Sequence, residues 1–187
     1  MPQLTVEHLT KYSKKYAFIE SGTYEGDTVE AALDYNFEFI HSIEIEPTLF
    51  QNATDKFKNN SNVSIWKGDS PDILREHIIP KLTKPSTFWL DAHRSWALQT
   101  PGSDKYGACP LLHELAAIAE SPINTHVIIA DDVRLFDTIG WDFLKKDHFI
   151  EAIYKINPKY QIDYLDGGFS FGRQFPPKDI MVCYVPD

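Results

Sequence analysis

Carboxylates that follow two short apolar runs are the side chains of this sequence best suited to hold a metal ion. Asp91 follows the run Thr87–Leu90, and Asp131 and Asp132 follow His126–Ala130. If these runs are neighbouring strands, three carboxylates emerge at one rim, where like charges are costly unless a cation neutralises them. Ligation by oxygen alone suits Mg²⁺ or a similar divalent cation. The pattern predicts a metal site at Asp91, Asp131 and Asp132; the alternative is that Asp132 caps a helix and Asp131 faces solvent.

Two further polar residues, His93 and Arg94, follow Asp91 closely. An imidazole is matched to proton transfer near neutral pH, so we predict that His93 is catalytic, although an isolated histidine is more often structural. Arg94 stays charged in proteins and is therefore interpreted as a clamp for the substrate or an anion. The predicted catalytic residues are Asp91, His93 and Arg94.

A glycine-containing turn follows the apolar run Ala17–Glu20. Its sequence contains neither the three glycines of a dinucleotide fingerprint nor the Gly-Lys-Ser/Thr of a phosphate loop. The glycines allow a ligand to approach the backbone closely, and the carboxylate of Glu20 suits a ligand with a cationic amine. The alternative is an ordinary strand-to-helix turn. The predicted ligand-binding residues of this segment are Glu20, Ser21, Gly22, Thr23, Gly26 and Thr28.

Acidic residues also follow the next two apolar runs. An acid about 20 residues beyond a glycine turn commonly accepts hydrogen bonds from a ribose diol, which points to Glu44 first and Glu46 second. Asp69 can accept from the exocyclic amine of a purine, and Ser70 adds a hydroxyl. The alternatives are an exposed acid at a strand end for Glu44 and a helix N-cap for Asp69 or Ser70.

The elements that must position these residues alternate between apolar runs and amphipathic stretches, which is typical of a parallel sheet with helices on both faces. A Gly/Pro-rich connection at Gly167–Pro177 predicts a closing hairpin and hence one antiparallel strand. The fold class is therefore α/β, a doubly wound Rossmann-like sheet of seven strands that binds its ligand at their carboxyl ends. The predicted strands are Ala17–Glu20, Phe39–Ile45, Val63–Lys67, Thr87–Leu90, His126–Ala130, Gln161–Leu165 and Asp179–Val185. The predicted helices are Thr28–Tyr35, Pro47–Lys58, Asp72–Lys81, Pro110–Glu120 and Asp142–Ile156.

Size and charge limit the remaining possibilities. The 187 residues (21.5 kDa) indicate one domain spanning residues 1–187. A net charge of −9 argues against nucleic acid as the main partner, because a phosphate backbone needs clustered Lys and Arg. Two cysteines make neither a disulfide framework nor a zinc pattern, and no apolar run is long enough for a signal peptide or a membrane span. We therefore expect a cytoplasmic protein without a membrane partner.

In combination, these segments resemble class I S-adenosylmethionine (SAM)-dependent methyltransferases, most closely the metal-dependent O-methyltransferases of the macrocin type and more distantly the catechol type. The segments 20–26, 43–44, 68–70, 90–93 and 130–132 carry the resemblance, and Trp89–His93 followed by Cys109–Leu115 looks like the macrocin type especially. The resemblance covers about residues 18–136.

This resemblance implies a strand order of 3-2-1-4-5-7-6 with strand 7 antiparallel. It implies SAM contacts from Glu20 and Gly22 to the methionine end, from Glu44 to the ribose and from Asp69 and Ser70 near the adenine, with Asp91 also close to the cofactor. It also implies a divalent metal at Asp91, Asp131 and Asp132. The sequence departs from the catechol type at Arg94, where those enzymes look to have a Lys base, and from the macrocin type in its length. Ala97–Ala108 is the candidate lid.

The expected reaction is transfer of a methyl group to a hydroxyl of a small molecule, with a diol, sugar or catechol-like acceptor and His93 as proton acceptor. Trp89, Trp96 and Tyr106 could stack on that acceptor or pack in the core. Two other functions stay open: a metal-dependent hydrolase or hydroxylase on the same fold, and a catalytically silent cofactor-binding module. A homodimer could cover the cleft of so short a chain.

Overall fold

A seven-stranded sheet forms the centre of the molecule. Its strands are β1 (Ala17–Ser21), β2 (Phe39–Glu44), β3 (Val63–Lys67), β4 (Thr87–Leu90), β5 (Val127–Ala130), β6 (Gln161–Leu165) and β9 (Ile180–Tyr184). Their spatial order is β3-β2-β1-β4-β5-β9-β6. The structure is a computed structural model that describes residues 4, 6–95, 100–170 and 173–186. Strand β9 runs antiparallel to both neighbours, β5 and β6, whereas β1 to β5 pair in parallel.

This topology confirms the predicted fold and strand order. Two short strands, β7 (Phe169–Ser170) and β8 (Arg173–Gln174), form a separate hairpin within the Gly/Pro-rich connection. Strand β9 is consequently the seventh strand of the main sheet, and it is the antiparallel one. Because β1 lies between β2 and β4, the chain order reverses beside β1 and opens a crevice at the carboxyl ends of these strands.

Helices cover both faces of the sheet. The α-helices are α1 (Val6–Tyr12), α2 (Asp27–Asp34), α3 (Pro47–Phe57), α4 (Ser70–Ile73), α5 (Leu111–Ala119) and α6 (Lys146–Ile156). Helix α4 continues through a π-helical turn, Leu74–Ile78, into the 3₁₀ turn Ile79–Lys81, so the segment predicted as a helix from Asp72 begins earlier and is irregular. No helix in the described part of the chain is long and apolar enough to cross a membrane.

The region before α6 differs from its prediction. Helix α6 begins at Lys146 and not at Asp142, because Asp142 and Phe143 adopt left-handed backbone conformations with φ of 50° and 55°. Two 3₁₀ turns, Val133–Leu135 and Ile139–Trp141, fill this part of the chain.

The sheet is buried on both faces, as expected for parallel strands covered by helices. Ile19 and Phe88 pack in one apolar cluster with α5 and α6, whereas Phe18 and Trp89 pack in the opposite cluster with α2 and α3. Trp89 is fully buried, so of its two alternatives it packs in the core and does not stack on an acceptor. The rigid central strands therefore fix the positions of the residues at their carboxyl ends.

Candidate functional site

A cavity at the carboxyl ends of β1 to β4 contains many of the predicted ligand-binding residues. We call it the strand-end cavity. The loops after all four strands contribute to its wall, and so does the segment 100–103. Its lining residues are Gly22, Tyr24, Ile43, Glu44, Ile45, Gly68, Asp69, Ser70, Asp91, Ala92, His93, Ser95, Thr100, Pro101, Gly102, Ser103 and Pro110.

Gly22 places the glycine turn directly against the end of β4. Its φ is +86°, and a Cβ atom at this position would lie 2.9 Å from the carbonyl oxygen of Asp91. Its N–H donates to the carbonyl oxygen of Ile43 at 2.9 Å. Only glycine combines this backbone conformation with such a close approach, so the turn holds the ends of β1, β2 and β4 together.

Glu44 lines the cavity with both carboxylate oxygens held by backbone donors. The N–H of Tyr24 donates to its Oε2 at 2.8 Å, and the N–H of Glu46 donates to its Oε1 at 2.9 Å. Each oxygen keeps a lone pair, so the group can accept from two adjacent hydroxyls. The side chain of Glu46 instead accepts from the N–H of Leu49 at 2.6 Å and caps α3, and it does not line the cavity.

Glu20 lies beneath the glycine turn in a buried hydroxyl network. The Ser42 hydroxyl donates to its Oε2 at 2.5 Å, the Thr23 hydroxyl lies 2.6 Å from that of Ser42, and Thr28 also hydrogen-bonds Glu20. Burial raises the pKa of Glu20 to about 8, so the group is largely protonated at neutral pH. Glu20, Thr23 and Thr28 support the turn from below, and their direct contact with a ligand stays a prediction.

Asp69 and Ser70 occupy the far end of the cavity. Asp69 precedes α4 but makes no side-chain capping bond, and its Oδ1 is buried without a hydrogen-bond partner among the described residues. Asp69 therefore occupies the N-cap position of α4 without capping the helix through its side chain. The Ser70 hydroxyl donates to Oε1 of Glu114 at 2.5 Å. A buried acceptor without a donor is what a ligand amine would satisfy.

At the other end of the cavity, Asp91, His93 and Asp132 form a compact group. The Nδ1 atom of His93 lies 3.6 Å from Oδ1 of Asp91, and its Nε2 atom lies 3.4 Å from Oδ2 of Asp132. One ligand atom from each residue lies within 4.8 Å of the others. Asp131 is adjacent but groups with Asp132 and Asp179, and its Oδ1 accepts from the N–H of Asp132 at 2.7 Å.

Two of the three predicted metal ligands, Asp91 and Asp132, thus lie beside His93, whereas Asp131 belongs to the neighbouring group with Asp132 and Asp179. Both alternatives for the acids are wrong, since Asp131 is fully buried and Asp132 makes no side-chain cap. Asp132 adopts a left-handed backbone conformation with φ of 58°. The set of metal ligands stays a prediction.

Electrostatics at this group favour a cation. Burial and the neighbouring acids raise the pKa values of Asp91 and Asp131 well above their usual range, and burial lowers the pKa of His93. Oδ1 of Asp91 and Oδ2 of Asp131 have no hydrogen-bond partner among the described residues. Arg134 offsets part of the charge, with Nη1 2.6 Å from Oδ1 of Asp132 and a further ion pair to Asp179. Two buried carboxylates beside an imidazole fit a divalent ion.

Residues 100–103 of the candidate lid line the strand-end cavity, and the role of the segment as a lid stays a prediction. Lys105 forms an ion pair with Asp72 at 2.7 Å, and the Tyr106 hydroxyl donates to the same carboxylate at 2.6 Å. The N–H of Arg94 donates to the carbonyl oxygen of Ala108 at 2.7 Å. The role of Arg94 as a clamp stays a prediction, and Trp96 and residues 97–99 lie outside the described residues.

Three residues of this region were not predicted from the sequence: Glu114, Arg134 and Asp179. Glu114 is an acid among the apolar residues of α5, and that isolated position was a usable signal. Arg134 and Asp179 come from distant parts of the chain, and their pairing depends on the antiparallel position of β9 next to β5.

Neither a scan against protein-family models nor a search of curated proteins finds a match to this sequence. Solved structures do match. The chain aligns over 91% of its length with 74% of an O-methyltransferase from Bacillus cereus in complex with S-adenosylhomocysteine (SAH), with a TM-score of 0.58 and 14% identity. It aligns over 96% of its length with 95% of the methyltransferase domain of bacterial CtHen1, with a TM-score of 0.57 and 16% identity.

This chain has the class I methyltransferase fold. The resemblance inferred from the sequence is confirmed at that level. The same fold occurs in spermidine synthase from Thermotoga maritima, of which the chain covers 52%, with a TM-score of 0.55 and 16% identity. A 23S rRNA methyltransferase, ErmE, also matches. Because a class I methyltransferase fold can serve several reactions and acceptors, the reaction must be argued from the strand-end cavity.

Proposed function

We propose that the protein is a SAM-dependent O-methyltransferase that acts, with the help of a divalent cation, on a hydroxyl of a small molecule. The observation that carries this proposal is a single cavity that extends from Asp69 and Glu44 to Asp91 and His93, with Asp132 buried behind His93 at 3.4 Å. Its wall is acidic, which disfavours ligands with phosphates and suits a cofactor with an amine, a sulfonium and a ribose diol.

The cofactor is expected to lie along the ends of β1 to β4. Glu44 would accept from the two ribose hydroxyls, since its oxygens are fixed by two backbone N–H groups. Asp69 would accept from the adenine amine with its buried, unpaired oxygen. The methionine end would lie beside Gly22 and Asp91, where the backbone allows close approach.

The acceptor is expected to bind where the cavity meets the acidic group. Asp91 and Asp132, with His93 or Asp131 beside them, would hold the divalent cation. When bound, Mg²⁺ or a similar ion lowers the pKa of an acceptor hydroxyl and fixes its direction. Two adjacent oxygens suit such a site, which favours a diol, a sugar or a catechol-like acceptor.

The chain's own contribution is to align the reactants and to remove a proton. The acceptor oxygen forms a bond to the methyl carbon while the carbon–sulfur bond breaks, and the electron pair of that bond stays on sulfur. Burial lowers the pKa of His93, so its imidazole is neutral and can take the hydroxyl proton. Most of the acceleration comes from holding donor and acceptor close and in line.

The net charge of the protein favours a small-molecule acceptor over RNA. A net charge of −9 offers little attraction for a phosphate backbone, although a relative in fold acts on 23S rRNA. A homodimer and a cytoplasmic location also stay predictions, which sedimentation analysis and cell fractionation test.

Calorimetry with SAH tests the cofactor site. The protein should bind SAH, and Glu44→Gln should weaken binding at least about tenfold, because one oxygen that accepts from ribose becomes a donor. Glu30→Gln, an exposed change on α2, is the matched control and should leave binding unchanged. No binding at millimolar SAH would contradict the proposal and favour a metal-dependent hydrolase or hydroxylase.

A methyl-transfer assay over diols, sugars and catechols tests the acceptor site. Asp132→Asn should abolish turnover that depends on a divalent cation while SAH still binds, because Asp132 does not line the cavity. Full activity of an Asp91→Ala enzyme in EDTA would contradict the metal role. His93→Gln distinguishes two roles of His93. If His93 is a metal ligand, the variant should bind the metal more weakly; if His93 is the proton acceptor, the variant should keep its metal affinity and have a lower kcat.

A further inference from the structure

Glu114 is a buried carboxyl group directly behind the wall of the strand-end cavity. It lies on α5 and has no exposed surface. Its Oε1 accepts from the Ser70 hydroxyl at 2.5 Å, and the Ser21 hydroxyl also hydrogen-bonds the group. Its Oε2 has no hydrogen-bond partner among the described residues. A buried carboxyl costs free energy that a leucine at the same place would not, so its contact with Ser70 calls for a function.

The contact with Glu114 determines which hydrogen-bonding role Ser70 can play toward the cavity. A hydroxyl has one proton and two lone pairs, whereas an ionised carboxylate can only accept. The proton of Ser70 is therefore committed to Glu114, and only lone pairs remain to face a ligand. Neighbouring Asp69 presents a buried acceptor oxygen as well. Both lining residues at this end thus offer acceptors to the ligand.

We propose that Glu114 is a positioning residue that keeps Ser70 as a hydrogen-bond acceptor and thereby makes the cavity select a 6-amino purine over a 6-oxo purine. The inference rests on the proposed function, since it assumes an adenosyl ligand. The 6-amino group of adenine donates two protons, which match the two acceptors. The 6-oxo group of hypoxanthine is itself an acceptor and would face them unpaired.

Ionisation of Glu114 sets the conditions for the test. Burial raises the pKa of this carboxyl to about 7, and the Ser70 and Ser21 hydroxyls oppose that rise. Measurements at pH 8.5 therefore examine the ionised form, which cannot donate to Ser70.

The experiment compares two ligands by calorimetry: SAH and its deaminated analogue S-inosylhomocysteine. The wild-type protein should prefer SAH by about 100-fold or more, because a site built to bond an amine rejects an analogue that leaves its polar groups unpaired. Glu114→Gln has nearly the same shape, but its amide can donate as well as accept, so Ser70 can turn its proton toward the cavity. The preference should fall about tenfold in this variant, chiefly through tighter binding of the inosyl ligand.

Ser70→Ala provides the matched background. In a Ser70→Ala protein the change Glu114→Gln should leave the ratio of the two affinities unchanged, because the hydroxyl that transmits the effect is gone. Thermal unfolding of each variant separates folding from selectivity, since a purely structural role would weaken both ligands equally.

Two results would overturn the inference while the proposed function stands: wild-type protein that binds SAH and the inosyl ligand equally, or a Glu114→Gln protein with the wild-type ratio. Wild-type protein that binds neither ligand would instead refute the proposed function. The two failures are therefore distinguishable in one data set.

Discussion

Replacing Gly22 by alanine tests whether the glycine turn joins the ends of β1 and β4 as tightly as the structure indicates. The new Cβ would lie 2.9 Å from the carbonyl oxygen and 3.1 Å from the carbonyl carbon of Asp91. Both atoms belong to backbone, so no side chain can swing aside to relieve the contact. The end of β4, which carries Asp91, would have to move.

Two costs add at this position. A left-handed conformation at φ +86° costs a non-glycine residue about 1–2 kcal/mol. Overpacking against fixed backbone typically costs about 1–3 kcal/mol more. A loss of about 3 kcal/mol corresponds to a drop in Tm of roughly 6–12 °C for a domain of this size. Displacement of Asp91 should also weaken SAH binding at least about tenfold.

Thermal unfolding and SAH calorimetry measure these effects, and two other glycines are controls. Gly26 has a similar φ of +81°, but its Cβ would meet the buried ring of Phe57 and not the backbone of Asp91, so Gly26→Ala should cost stability without displacing Asp91. Gly140 has an ordinary φ and 3.6 Å of clearance to Thr138, so Gly140→Ala should change neither quantity. A Gly22→Ala protein with the Tm and SAH affinity of the Gly140→Ala protein would show that the Gly22 turn does not hold the end of β4 in place.

Three further predictions follow from individual contacts. Glu20 has a folded-state pKa of about 8 against an ordinary 4.5, so the unfolded chain releases its proton at a lower pH than the folded protein, and folding stability should fall as pH rises from about 4.5 to 8. In urea unfolding, Glu20→Gln should be more stable than wild type at pH 7.5 by up to about 4 kcal/mol, and the two proteins should be equally stable near pH 4.5. Asp72→Asn loosens the contacts to Lys105 and Tyr106, and SAH should dissociate several-fold faster in stopped-flow measurements; an unchanged rate would mean that segment 100–108 does not retain the cofactor. Glu46→Ala removes the cap of α3 and should lower the free energy of unfolding by about 1 kcal/mol while SAH affinity stays unchanged. A loss of SAH affinity would indicate that Glu46 does contact the ribose.

The sequence was sufficient to predict the central sheet, because continuous apolar runs between turn residues leave few other structures. The bounds of β3, β4 and β6 agree with their predictions. Helix α1 was not predicted, since its short segment is largely polar and its burial of Leu9 and Tyr12 depends on contacts with distant strands. The start of α6 was misplaced because Asp142 accepts from the N–H of Ala108, a contact between distant segments that stabilises a left-handed turn.

For the candidate site, the order of the strands predicted which residues lie at the carboxyl ends of the sheet, but not their backbone conformations or side-chain contacts. Parallel strands bring Gly22, Glu44 and Asp91 to one edge whatever their side chains do. The choice between Asp131 and Asp132 as the neighbour of His93 depends on the left-handed φ of 58° at Asp132, for which the sequence has no signal. The contact between Ser70 and Glu114 spans 44 residues and appears only in the folded chain.

Arg134 gives the acidic group an internal counter-ion. Its guanidinium lies between Asp132 and Asp179, so part of the repulsion among the carboxylates is relieved before any metal arrives. A fold that carries its own balancing charge does not need the proposed metal to assemble, so the protein should stay folded in the presence of a chelator. Because the arginine engages Oδ1 of Asp132 while Oδ2 faces His93, the proposed ion would meet a carboxylate whose charge is already partly neutralised, which favours modest affinity and rapid exchange over permanent retention.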